Sequence, residues 1–138
     1  MNFEDFIKSK KVRKGTPDMQ LAKSLIKMSE NHLKSIEDMR LTEVSSATIM
    51  TNYYESLREI VEAIASIDGY KVYSHEAFTY FLKERGEDLI SIKFDNYRKI
   101  RNSVNYYGKP VEVGITEANI NEIKKIIREL KEKFLKNL

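Results

Sequence analysis

The chain has 138 residues, no cysteine, and only two histidines and two prolines. Without cysteine there is no disulfide framework and no thiolate metal site. With His32 and His75 as the only imidazoles, a histidine-rich zinc centre is not expected, and neither is any other metal or cofactor. No apolar run approaches the roughly 18 residues of a membrane-spanning helix. The start, Met1-Asn2-Phe3-Glu4-Asp5, has no basic segment followed by an apolar core. No signal peptide is therefore expected, and the expected location is cytoplasmic, with no membrane partner. There is no glycine-rich phosphate loop and no nucleophile elbow.

What remains is 41% hydrophobic and 33% charged. The charges are mostly Lys, Arg and Glu, which favours helix, and the length suits one domain with its own core. Formal net charge is only +3, but its placement is uneven. Residues 91–110 hold Lys93, Arg98, Lys99, Arg101 and Lys109 against Asp95, and residues 1–14 hold five cations against Glu4 and Asp5. Clustered cations attract phosphate, although a solvated helix face gives the same composition.

Apolar spacing predicts an all-α protein, an up-and-down bundle of four long helices and one short one. Residues 1–15 read as a short basic N-terminal helix and 17–138 as the bundle. Thr16 is the expected N-cap of the first long helix, with Pro17 at its first position and the end near residue 40. The next helix repeats Ala47, Met50, Tyr54, Leu57, Val61 and Ile64, with a second apolar row beside them. Such a helix is central, packed by more than one neighbour. Glu55, Arg58, Glu59 and Glu62 fall on its remaining stripe, expected to be exposed and solubilising. Gly69 ends it. Ser74 caps a short helix to about Arg85, followed by one from about Glu87 to Tyr107, closed by Gly108-Lys109-Pro110. The last helix is expected from Thr116. The run Gly69–Tyr73 is β-like but too short to build a sheet alone.

The most specific segment is Tyr97-Arg98-Lys99-Ile100-Arg101-Asn102-Ser103-Val104-Asn105-Tyr106-Tyr107-Gly108: three cations, two amides and three tyrosines on one helix. Arg101 shares a face with Tyr97, Arg98, Val104 and Asn105, at the edge of the apolar stripe. Asparagines weaken a helix, so Asn102 and Asn105 are either bonded to something specific or part of a fraying end. His32 and His75 both read as structural, and the sequence does not place His75 near Arg101. Tyr53, Tyr54 and Tyr97 read as packing residues.

Two elements resemble HEPN domains, the helical domains of prokaryotic toxin–antitoxin, defence and nucleotidyltransferase-linked systems. One is Tyr54-Glu55-Ser56-Leu57-Arg58-Glu59-Ile60-Val61-Glu62-Ala63 with its sequel Gly69-Tyr70-Lys71 and Ser74-His75-Glu76-Ala77. The other is Arg101-Asn102-Ser103-Val104-Asn105-Tyr106-Tyr107-Gly108. The resemblance covers roughly residues 20–135 and implies an HEPN-like bundle. The family's signature is an arginine, a polar residue after it, and a histidine about five positions on. Two such motifs meet across a dimer and form a metal-independent ribonuclease site. The resemblance puts Arg101 in the arginine place, Asn102 in the polar place and Tyr106 in the histidine place. A tyrosine ordinarily titrates near pH 10 and is a poor base at neutrality, so the expectation is a homodimer that binds RNA or a nucleotide, or partners a small nucleotidyltransferase, without cutting. Arg98, Lys99, Arg101, Asn105, Tyr107 and Lys109 are then the expected contacts. The alternatives are a toxin-type metal-independent endoribonuclease using Arg101, Asn102 and Tyr106, and a purely structural or regulatory dimer.

Overall fold

Six helices and two three-residue strands follow in the order α1 (Phe3–Lys8), β1 (Val12–Lys14), α2 (Met19–Ile36), α3 (Ser46–Ile67), β2 (Tyr70–Val72), α4 (His75–Glu84), α5 (Asp88–Tyr107) and α6 (Val113–Phe134). The computed structural model describes residues 1–138. No helix is long and apolar enough to cross a membrane. The protein is a helical bundle with a tiny two-stranded ribbon at its side.

α3 is the centre, and α2, α4, α5 and α6 all pack on it. Met50, Tyr54, Leu57, Ile60, Val61 and Ile64 are buried on more than one side of it. α2 lies antiparallel to α3. Small residues let the two approach closely, so that the Ser29 hydroxyl donates to the Ser56 carbonyl at 2.8 Å and the Ser56 hydroxyl donates to the Ser29 carbonyl at 3.1 Å. α6 runs parallel to α3, pinned by the buried Ser46–Thr116 hydroxyl pair at 2.8 Å and by Lys124 over the Tyr53 ring. α5 is antiparallel to α6, joined by the Tyr97 hydroxyl donating to Glu122 and by the Lys133–Glu87 ion pair. α4 lies antiparallel on α5, with the Thr79 hydroxyl donating to Asp95 at 3.0 Å.

Several boundaries differ from the sequence expectation. The basic N-terminal segment is not one helix. α1 has a reciprocal Asn2–Asp5 capping box and stops at Ser9, and Lys10 then takes a left-handed conformation at φ 64°. The chain turns there because Val12 fills the core and pairs with Val72. The Gly69–Tyr73 run therefore finds its strand partner inside the supposed helix. The N-cap of α2 is Asp18, not Thr16: its carboxylate accepts from the Leu21 N–H at 3.0 Å, which leaves Pro17 outside the helix. α2 ends at Ile36 rather than near residue 40, because Ser45 closes the following loop by donating to the Arg40 carbonyl at 2.6 Å. α6 begins at Val113, three residues before Thr116.

Gly69 closes the ribbon against the start of α2. It sits at φ +89°, its carbonyl accepts from the Gly15 N–H at 2.7 Å, and a Cβ there would lie 2.5 Å from the Gly15 oxygen. Gly69→Ala is therefore expected to destabilise the fold by about 1–3 kcal/mol, the usual cost of a strained backbone position. Urea unfolding of the variant beside the parent checks this.

Candidate functional site

Glu55, Arg58, Glu59 and Glu62 recur at helical spacing on α3, so all four project from one stripe. The structure overturns the expectation that this stripe is exposed. Glu59 is fully buried, and the Arg58 side chain is 15% exposed. Arg58 donates to Glu55 Oε2 at 2.9 Å and to Glu62, and lies 4.0 Å from Glu59. Burial pulls its proton affinity down, but the three carboxylates outweigh that and push it up. Glu59 turns its other oxygen toward α2, where His32 Nδ1 is 2.7 Å away. Burial pushes the Glu59 carboxyl above its ordinary range, and His32 and Arg58 only partly hold it down.

The stripe continues into α5. Arg101 Nε lies 4.0 Å from Glu55 Oε1, close enough to attract but too far to hydrogen-bond, and both atoms are buried without a hydrogen-bond partner. The far side of the same guanidinium reaches Asn102 Oδ1 at 3.2 Å and the Tyr106 hydroxyl at 3.5 Å, with the Tyr106 ring 5.8 Å from its centre. Arg101, Asn102 and Tyr106 are thus together. They sit at the last turns of α5, which stops at Gly108 because only a left-handed residue ends it there, at φ 61°. Asn105, Tyr106, Tyr107 and Lys109 are exposed at this end.

Arg98 has a different setting. Its side chain is 12% exposed and held by Asp95 at 2.8 Å, with Glu76 at 3.7 Å. Asp95 is buried enough to raise its pKa, but bonds from Arg98, Thr79 and Lys99 win and hold it below the usual carboxylate range. Lys99 is exposed and reaches the same carboxylate at 3.3 Å.

The structure supplies the position of His75, which the sequence left open. It opens α4, and its Nδ1 is 2.8 Å from the hydroxyl of the buried Tyr54, whose ring packs on Phe94. Burial, with the positive charges of Arg101 and Arg58 behind it, lowers the His75 pKa to about 4. Tyr54 is pushed up, first by burial and then by Glu55. His75 therefore belongs to the electrostatic surroundings of Arg101. The available signal was on α3: a helix apolar over most of its surface leaves no exposed face for a charged stripe. No three histidine or carboxylate side chains converge in a way that could hold a metal ion. Tyr53, Tyr54 and Tyr97 are buried packing residues, as the sequence suggests.

No protein-family model, curated protein or solved structure matches this chain.

Two outcomes follow from this geometry. Arg58→Met removes the cation shared by Glu55 and Glu62 beside buried Glu59 and is expected to destabilise the protein by roughly 3–5 kcal/mol, read by urea unfolding at neutral pH. His75 stays neutral in the folded protein down to about pH 4, whereas its ordinary pKa is 6.5. Between these values the unfolded chain binds the extra proton, so this residue makes stability fall as pH drops from 6.5 toward 4. Glu59, shifted upward, has the opposite sign: its contribution weakens stability as pH rises through its range. The difference between the parent and His75→Gln across that window isolates the imidazole, and the variant is expected to lose the acid-side slope.

Proposed function

We propose that this chain is an HEPN-like helical module that acts as a homodimer and binds RNA or a nucleotide, alone or with a small nucleotidyltransferase, without cutting the phosphodiester. The observation that carries this is Arg101. One edge of its guanidinium faces the half-buried Glu55 carboxylate, and its NH1 donates to Asn102 and Tyr106 at an exposed helix end. A planar guanidinium held in place offers a phosphate paired donors. The exposed phenols of Tyr106 and Tyr107 can stack on a base, and Lys99 and Lys109 add positive charge outside. Leu89 and Ile92, both exposed on α5, support the dimer part of the reading. Absence of cleavage rests on Tyr106 in the histidine place, since a phenol is a poor proton acceptor at neutral pH.

One observation bears on the endoribonuclease alternative. His75 lies in the field of Arg101, but the burial and positive charge that lower its pKa to about 4 make the imidazole a weak proton acceptor at neutral pH, so it does not replace the histidine of the motif.

Fluorescence anisotropy with labelled single-stranded RNA in chelator separates these readings. The expected outcome is intact RNA and binding that weakens steeply with salt. Arg101→Ala is expected to lower affinity about tenfold or more and to reduce the log–log salt slope by about 1, the signature of one lost phosphate contact. Cleavage that disappears in Arg101→Ala would replace this reading with the nuclease. Unchanged binding by the variant would leave the structural dimer.

A further inference from the structure

The β1–β2 ribbon sets two like charges against each other. Its register pairs Arg13 directly with Lys71. Directly opposed residues of an antiparallel pair are close enough for their charges to interact, and like charges there are unfavourable. Neither cation takes part in any ion pair of the molecule. Next to them Lys14 lies over the Tyr70 ring and adds a third positive charge to the ribbon.

Arg13 and Lys71 line one cleft, of about 240 Å³. Its other walls are the Gly15-Thr16-Pro17 turn, the first turn of α2 with Asp18, and the end of α3 with Ser66. Ser66 is 2% exposed and its hydroxyl has no hydrogen-bond partner. A buried hydroxyl left unbonded is unfavourable. An unpaired cation pair therefore lines a cleft whose wall includes a residue with an unsatisfied hydroxyl, and an anionic group with several acceptor oxygens answers the charge deficit.

We propose that this cleft binds the phosphoryl group of a small phosphomonoester, with Arg13 and Lys71 as its charge partners. Asp18 narrows the choice. Its carboxylate lines the same cleft, already accepts from the Leu21 N–H, and leaves the charged side chains of the lining with one net positive charge. An unprotonated phosphate oxygen facing Asp18 is repelled, whereas a ligand hydroxyl there is accepted. The volume lies below the usual range for drug-sized ligands, which favours a phosphorylated polyol of a few carbons. This site is formed by β1, β2, the start of α2 and the end of α3, and it does not depend on the Arg101 reading.

The test is thermal unfolding of the full chain at constant ionic strength in chloride, inorganic phosphate, glycerol 3-phosphate or glycerol, at millimolar concentrations. A ligand that binds only the folded state raises the melting temperature. Glycerol 3-phosphate is expected to raise it by several degrees over chloride, phosphate by less, and glycerol not at all. Lys71→Gln is expected to lose the response while keeping the helical circular dichroism of the parent. Lys71→Glu, which turns the cross-strand repulsion into attraction, is expected to melt above the parent in chloride and to ignore both phosphates. Equal melting in chloride and both phosphates, or a response undiminished in Lys71→Gln, overturns the proposal. A larger response to inorganic phosphate than to glycerol 3-phosphate overturns the part assigned to Asp18.

Discussion

Arg58 is the constraint around which the bundle is arranged. α3 is enclosed by its neighbours, so the charged residues on it have to be satisfied within the protein. A guanidinium can serve two carboxylates at once because its donors are fixed in a plane, and Arg58 does so for Glu55 and Glu62. What it leaves over decides the rest. Glu59 needs a partner from α2 and finds His32, and Glu55 Oε1 faces Arg101 from α5. The desolvation of buried charges nearly cancels their attraction, so such a network adds little net stability. Its effect is on alignment. A slip of α2 by one turn would separate His32 from Glu59 and leave a buried carboxylate uncompensated.

The small residues around this network make the charges' proximity possible. Ser29 and Ser56 exchange hydroxyl–carbonyl bonds across the α2–α3 contact, and Ala22 and Ala63 are buried on the same two helices. With larger side chains at these positions the helices would stand apart, and His32 would not reach Glu59. Packing and electrostatics are therefore one arrangement on this face.

The long helices were legible because periodicity reports which face is buried. The pattern of α3 gave both its extent and its central place, and Gly69, Gly86 and Gly108 each take a positive φ just beyond a helix. The ribbon was not legible. Three residues carry too little periodicity, and the pairing of Val12 with Val72 joins segments 60 positions apart. The cap of α2 was missed because Thr16 and Asp18 both suit the role and only the backbone path decides between them. The charged stripe was misjudged for a different reason. Local spacing says which residues share a face, but whether that face meets water depends on neighbours elsewhere in the chain. Of the candidate site, Arg101, Asn102 and Tyr106 were readable on one helix, while Glu55 and His75 come from other elements.

Arg98 and Arg101 are one turn apart, yet only one of them is available to a ligand. Arg98 is enclosed and held by Asp95, with Glu76 near. Arg101 has a single distant carboxylate and otherwise neutral partners. The unspent positive charge of this region therefore gathers on Arg101. His75 registers that charge, because Arg101 and Arg58 both add to the burial that keeps its imidazole neutral. The field that disfavours a proton on His75 is thus the field that attracts an anion to Arg101. The two are linked in opposite senses: an anion settling on Arg101 cancels part of the field and makes the imidazole easier to protonate. On the proposed reading, an anion on Arg101 would meet the Tyr106 hydroxyl from the solvent side, with His75 behind the arginine, bonded to Tyr54.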